Sequence, residues 1–231
     1  MITARNLTKV YNGTTVLNIP EISIEKGESF GLVGNNGAGK TTFFRLILDL
    51  IRPQSGLVNS KDRNVAGNED WKSYTGSYLD RNFLIDYLTP EEYFDFSGKI
   101  HGLSEEDIHH FLENMKDFFN DEILGKNKFI RDLSRGNQQK IGVAAALMAD
   151  PEVLILDEPF NSLDPSSQIR LKNMLNTLKK EKQVTMLISS HDLNHVTEVC
   201  DRIAILEKGI IVKDLKTNEG TLKELQSYFA V

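Results

Sequence analysis

Residues 34–41 read Gly34-Asn35-Asn36-Gly37-Ala38-Gly39-Lys40-Thr41 and fill every fixed position of the pattern G-x-x-x-x-G-K-[ST]. The chemistry open to such a segment is the wrapping of a polyphosphate. Glycines let backbone N–H groups turn inward around phosphate oxygens, the Lys40 ammonium reaches the β and γ oxygens, and the Thr41 hydroxyl can ligate Mg²⁺. The flanks suit this task. Ser29-Phe30-Gly31-Leu32-Val33 reads as a buried strand, and residues 42–50 read as an apolar helix whose positive N-terminal end faces the phosphates. The segment predicts binding of a nucleoside triphosphate through Gly34, Asn35, Asn36, Gly37, Ala38, Gly39, Lys40, Thr41 and the adjoining Thr42.

A second constellation is Val153-Leu154-Ile155-Leu156-Asp157-Glu158, an apolar strand that delivers two carboxylates at its C-terminal end. Open α/β sheets place their ligands at that end. Asp157 is expected to hold Mg²⁺, directly or through water. Glu158 is expected to take the proton of a water that attacks the γ-phosphate, a general-base role. Acids closing a strand are ordinarily solvated or cap a helix, so it is the phosphate-wrapping loop upstream that gives this pair its catalytic reading.

The elements that must position these residues fit a chain of 231 residues with 40% hydrophobic content, enough for one large domain or a domain with a subdomain. Residues 1–30 alternate apolar and polar around turns at Asn12-Gly13 and Lys26-Gly27, which predicts a small antiparallel sheet beside the nucleotide. Residues 31–80 carry the loop, its helix, the breaker Pro53 and a further short strand pair. From residue 89 the character becomes helical: Thr89-Pro90-Glu91-Glu92 is a capping box with proline at the first helical position, and Ser104 with Asp107 marks a second helix start. Tyr93, Phe94, Phe96, Phe111, Phe118 and Phe119 are assigned to a core there, with room for a docking groove. After 131, helices alternate with very apolar strands, as a buried parallel sheet requires.

Several classes are disfavoured. No apolar run approaches the ~20 residues needed to cross a bilayer, and Met1-Ile2-Thr3-Ala4-Arg5 does not open a signal peptide, so a cytoplasmic location is expected. The lone Cys200 rules out an internal disulfide framework and reads as a small buried thiol. A net charge of −6 opposes general nucleic-acid binding, and no nucleic-acid partner is expected. Asn127-Lys128-Phe129-Ile130 begins like a guanine-reading motif, but Ile130 lacks the required carboxylate.

About 20 residues before the Asp-Glu strand stands Leu133-Ser134-Arg135-Gly136-Asn137-Gln138-Gln139-Lys140, leading into a helix. Here the chain resembles the nucleotide-binding domain of ATP-binding cassette (ABC) proteins, whose Leu-Ser-Gly-Gly-Gln signature sits at a helix N-terminus. Matches follow in the family's order along essentially the entire chain. Asn161-Ser162-Leu163-Asp164-Pro165 resembles the D-loop, His191 after Ile188-Ser189-Ser190 resembles the switch histidine, and Tyr11 resembles the aromatic residue that stacks on adenine. Arg135 and Asn137 depart from the signature. At the Q-loop, Asp80 followed by Arg81 stands where the family has a glutamine.

The resemblance implies an α/β fold with a P-loop NTPase core of mainly parallel sheet, an N-terminal antiparallel β subdomain over about 1–30, and a helical insert. That insert spans about 89–148 and ends in the signature helix, all within one ABC ATPase domain over 1–231. It further implies an Mg²⁺-dependent ATPase in which two cassettes close head to tail. Ser134 and Gly136 would then touch the γ-phosphate of the ATP held by the opposite subunit, Glu158 and His191 would be catalytic, and Thr41, Asp157 and Asp80 would serve the metal, with Arg81 beside Asp80 to offset its charge. The implied partners are a second cassette, in a homodimer or with a homologous subunit, and an integral membrane permease docked between the Asp80 loop and the aromatic insert. The chain would lie peripherally on the cytoplasmic face of the cell membrane. Its compact layout and divergent signature are most similar to cassettes serving ABC-2 type export permeases; the alternative is a soluble ABC-type mechanochemical ATPase.

Overall fold

Alternation along the central strands divides the protein into two cores. In the computed structural model, which describes residues 1–230, strand β1 (Ile2–Tyr11) is followed by β2 (Thr14–Ile24), β3 (Ser29–Val33), helix α1 (Lys40–Ile47), β4 (Ser55–Ser60), β5 (Arg63–Asn64) and β6 (Thr75–Tyr78). Next come α2 (Pro90–Ile100), α3 (Glu105–Asn114), α4 (Lys116–Phe119) and α5 (Arg135–Leu147). The chain continues with β7 (Val153–Leu156), α6 (Pro165–Thr177), β8 (Thr185–Ser190), α7 (Leu193–Val199), β9 (Arg202–Glu207), β10 (Ile210–Lys216) and α8 (Thr221–Phe229). A six-stranded sheet in the order β10-β9-β3-β8-β7-β6 forms the centre, parallel throughout except for β10 at one edge. Successive side chains of a strand point to opposite faces. Val153, Ile155 and Leu187 therefore join the core shared with β1, β2 and α1, while Leu154, Leu156, Met186 and Ile188 join the core under the later helices.

The antiparallel sheet has the order β2-β1-β4-β5. It reaches past the boundary near residue 30 that the sequence suggests, because β4 pairs with β1 from Ile2↔Ser60 to Thr8↔Ser55, whereas β3 passes into the central sheet. The helical insert begins as its caps predict. Thr89 accepts from the Glu92 N–H and Ser104 from the Asp107 N–H, each with the reciprocal carboxylate bond of a capping box. Phe94 packs on Phe111 and Phe119, with ring centroids 6.4 and 5.7 Å apart. Phe96, assigned to this core from the sequence, is instead 45% exposed. Cys200 is buried beneath β3, and burial pushes its thiol up to about 12, leaving it inert.

Helix α5 lies closer to the sheet than to the insert it follows in sequence. A Cβ built on Gly142 of α5 would sit 2.0 Å from the Tyr78 ring, and one on Gly76 of β6 would sit 1.8 Å from the Ala146 carbonyl oxygen. Both glycines are there so that helix and strand can touch. Since the obstacle at Gly76 is backbone, Gly76→Ala is expected to destabilise the fold by about 1–3 kcal/mol, the usual cost of overpacking. Denaturant unfolding of the nucleotide-free protein checks this; unchanged stability would mean that α5 does not need this close approach.

Candidate active site

The loop between β3 and α1 takes its shape from glycines. Gly37 and Gly39 adopt φ of 83° and 110°, in the left-handed region that favours glycine, and a Cβ on Gly34 would stand 2.3 Å from the Leu206 carbonyl oxygen. Gly39 caps α1 with no side-chain bond, so the first N–H groups of α1 have no intrahelical acceptor. Buried Lys40 donates from Nζ to the Gly34 carbonyl at 2.7 Å and lies 3.3 Å from Glu158 Oε1. That second approach is an ion pair off the line of a hydrogen bond, since Oε1 is buried without a hydrogen-bond partner.

Strand β7 brings its two carboxylates to this loop. The Thr41 hydroxyl donates to Asp157 Oδ2, and the Ser189 hydroxyl on β8 donates to Asp157 Oδ1. Burial pushes the Asp157 carboxyl above the usual carboxylate range; the Ser189 and Thr41 hydroxyls oppose this, the Glu158 charge adds to it, and Lys40 opposes it. Ser189 Oγ in turn accepts the Glu158 backbone N–H at 2.9 Å. One serine thus fixes both acids.

Glu158 itself sits at φ of 50°, a left-handed conformation that an ordinary residue adopts only when its surroundings impose it. Its carbonyl accepts the Asn161 N–H at 3.1 Å and Gln139 Nε2 at 3.2 Å. Its carboxylate Oε2 accepts the His191 backbone N–H at 3.2 Å and lies 2.8 Å from His191 Nδ1. With the proton on Nδ1, the imidazole donates to the carboxylate. The resulting cavity, of about 250 Å³, is lined by Tyr11, Val16, residues 35–42, Asp157 and Glu158. Tyr11 is 43% exposed at the end of β1, which leaves its ring available to stack on a base.

Of the sequence-predicted residues that do not line this cavity, Gly34 and His191 adjoin it through Lys40 and Glu158, whereas Ser134, Gly136 and Asp80 are engaged elsewhere. Ser134 caps α5 by accepting the Asn137 N–H at 3.2 Å. Gly136 is required within the chain itself, because a Cβ there would stand 2.6 Å from the Ser162 carbonyl oxygen. Asp80 accepts the Asn82 N–H at 2.8 Å, and its Oδ2 lies 3.6 Å from the Arg45 guanidinium on α1. The cation beside Asp80 is therefore Arg45 rather than the sequence neighbour Arg81. Asp164 caps α6 through Ser167, and the hydroxyls of Ser166 and Ser167 hold its carboxyl well below the usual range.

Three further residues serve the site without having stood out as functional: Ser189, Gln139 and Arg45. Only Ser189 left a signal in the sequence, since a hydroxyl that follows the apolar run Met186-Leu187-Ile188 in a buried strand needs a partner.

Comparison with known proteins follows the same lines as the geometry. The family described as ABC transporter matches residues 17–161. The bacitracin transport ATP-binding protein of Enterococcus faecalis is 35% identical over 225 residues, covering 95% of this chain and 70% of the relative. An uncharacterised ABC transporter ATP-binding protein of Bacillus subtilis is 34% identical over 229 residues, covering 99% of this chain and 74% of the relative. A solved ATP-binding subunit of an ABC transporter superposes with a TM-score of 0.84 at 27% identity, covering 100% of this chain and 93% of that one. A dimeric cassette bound to ADP and Pi shares the fold, with a TM-score of 0.84 at 24% identity over 94% of this chain and 99% of that one. With the phosphate loop, the paired carboxylates and the family match all on one chain, this protein belongs to the ABC transporter family as an ATP-binding subunit that hydrolyses ATP.

Proposed function

We propose that this subunit drives substrate movement, in the export direction, through a separate membrane permease, closing with a second cassette around ATP and opening after hydrolysis. The single observation that carries the chemistry is Glu158, whose carboxylate is engaged at one oxygen by His191 and faced at the other by Lys40. Glu158 takes the proton of the attacking water, His191 orients that carboxylate, and Lys40 with the first N–H groups of α1 holds the β and γ phosphates. Tyr11 carries the adenine. Ser134 and Gly136, at the exposed start of α5, serve the γ-phosphate of the opposite cassette, with Arg135 beside them.

The donor set at Thr41 and Asp157 fits Mg²⁺. Both offer oxygen, and among the described residues no group of three or more histidine, cysteine, aspartate or glutamate side chains is placed to hold a metal ion by itself; Mg²⁺ is commonly held by one or two protein oxygens together with phosphates and water. When bound it supplies charge neutralisation on the phosphate oxygens. Asp80 is assigned to the outer surroundings of the ion, with Arg45 offsetting its charge.

For the permease, support comes from a cleft of about 430 Å³ between the loop after Asp80 and the helical insert, with Arg81, Asn82, Asp86 and Arg131 in its lining. Phe83 and Tyr87 stand exposed on the same loop. Among the described residues no helix is long and apolar enough to cross a membrane, so in this reading a transport path needs another protein and the chain works peripherally at the cytoplasmic face. Export rests on the similarity in layout and signature to cassettes of ABC-2 type export permeases, and the bacitracin transport relative supports the transport role.

Two carboxylate variants separate the assigned roles. Glu158→Gln is expected to lower ATP turnover by about 10²–10⁴-fold with ATP binding retained, as phosphate release and nucleotide titration will read; unchanged turnover removes Glu158 from the base role. Asp157→Asn is expected to abolish Mg²⁺-dependent turnover yet raise the melting temperature of the nucleotide-free protein at neutral pH. The sign follows from the raised carboxyl pKa of Asp157: the folded state binds the proton more tightly than the unfolded chain, so the group favours folding at low pH and loses that contribution as pH rises through its folded value. The advantage of the asparagine variant should therefore shrink as pH falls to the acid side of that range, and a lower melting temperature at neutral pH would contradict the burial argument. For the partner, Glu158→Gln pulled down from detergent-solubilised membranes with ATP should bring a stoichiometric polytopic membrane protein. Soluble partners alone would leave the ATPase and overturn the transport role.

A further inference from the structure

Behind the Glu158–His191 pair, α7 carries a second histidine that the reaction as described does not use. His195 is 7% exposed. Its ring stacks on Phe160, with centroids 4.4 Å apart and planes inclined by 29°, and its Nε2 lies 3.5 Å from Asp192 Oδ2. Nδ1 is buried with no hydrogen-bond partner. Burial holds the imidazole below the usual histidine range, against the pull of Asp192 and Glu198 and with Lys172 and His191 adding to the depression, so the ring is neutral at neutral pH.

Phe160 and Asp192, which His195 approaches, belong to the two segments that meet at Glu158. Phe160 lies two positions after the glutamate, and its carbonyl accepts the Leu163 N–H at 3.4 Å and Gln168 Nε2 at 3.3 Å, which closes the turn towards Asp164. Asp192 directly follows His191 and caps α7 through the Asn194 N–H. A closed circuit results: Glu158 to Phe160 along the chain, Phe160 to His195 by stacking, His195 to Asp192 across space, Asp192 to His191 along the chain, and His191 back to Glu158 by hydrogen bond. Take out the ring and what remains between the two segments is the set of bonds at Glu158 itself, from the His191 backbone N–H and imidazole to its carboxylate and from its own N–H to Ser189.

The geometry points to His195 as a positioning residue for ATP hydrolysis, a neutral aromatic wedge that sets the separation of the Glu158 turn from the His191 segment. It works by shape more than by polarity, since one ring nitrogen has no partner and the other faces a carboxylate at a long distance. A phenylalanine should therefore substitute for it and a flexible amide should not. The assignment rests on Glu158 and His191 as the reacting pair.

Steady-state ATPase assays on the full chain test it, together with titration of nucleotide and thermal unfolding. His195→Ala is expected to lower kcat about tenfold while KM for ATP stays within about twofold, since small misplacements of reacting groups slow the chemical step and the phosphate loop is untouched. His195→Phe is expected to return kcat to within about threefold of the parent, and His195→Gln to remain as slow as the alanine variant. Should the alanine variant not fold, the contrast between phenylalanine and glutamine carries the test. Parent-like kcat in His195→Ala overturns the assignment, and so does a phenylalanine variant that folds, binds ATP and is no faster than the glutamine one. Glu158→Gln is assayed in parallel: normal turnover there removes the reacting pair and this assignment with it, whereas normal turnover in His195→Ala alone removes only the wedge.

Discussion

A carboxylate shut away from water must find hydrogen-bond donors or give up its charge, and the site is arranged around one that is only 5% exposed. Asp157 receives its two donors from different elements, Thr41 on α1 and Ser189 on β8. Satisfying this one side chain docks the phosphate loop on the central sheet and aligns the C-terminal ends of β7 and β8. Ser189 then accepts the Glu158 N–H, so the position of the neighbouring glutamate follows from the same bond. His191, two residues beyond Ser189 on the same chain segment, arrives within hydrogen-bonding distance of that glutamate. The phosphate loop and both acids thus share a single anchor.

The same constraint reaches α5. Gln139 accepts the Tyr78 hydroxyl at 3.3 Å and donates to the Glu158 carbonyl at 3.2 Å, while the missing Cβ of Gly136 admits the Ser162 carbonyl. One turn further on, the buried Lys140 ammonium lies 3.6 Å from Glu122 of the insert and 3.9 Å from Asp164. Helix α5 is therefore pinned at three levels to the turn that follows Glu158. A displacement of the insert or of the start of α5 cannot leave that turn untouched, because packed interiors transmit strain and compress little. The physical link between the outer helices and Glu158 is this short stretch of side chains.

What could be read from the sequence was what is local in it. The phosphate loop, the caps at Thr89 and Ser104 and the Asp157–Glu158 pair announce themselves within a few residues, and each holds its expected place in the fold. What could not be read depends on pairing across long separations. The antiparallel sheet takes in residues 55–64 because β4 aligns on β1 some fifty residues upstream, which no periodicity within either strand specifies. Asp80 found its cation on α1, not at the adjacent Arg81, because Arg45 reaches it from 35 residues upstream. Gly136 has a reason within its own chain that the signature resemblance did not suggest, and Phe96 follows a helical apolar pattern yet faces outward. Ser189 was the near miss: its burial could be inferred, but its acceptor lies on another strand.

Glu158 shows why these long-range bonds matter. A residue with a side chain held in the left-handed region costs on the order of 1–3 kcal/mol, and glycine would relieve that cost at the same φ. Glycine would also delete the carboxylate that His191 and Lys40 engage. The strained backbone aims a carboxylate from the end of β7 into the cavity, an orientation that the extended conformation of the strand would turn away. It persists because every polar group of the residue's backbone is engaged: the N–H by Ser189, the carbonyl by Asn161 and Gln139. The left-handed turn at Glu158 and the buried charge at Asp157 are both locally unfavourable, and they are adjacent. Because one serine hydroxyl answers both, neither can relax alone, and the fold holds at its active site two side-chain positions that neither the strand nor the turn would adopt by itself.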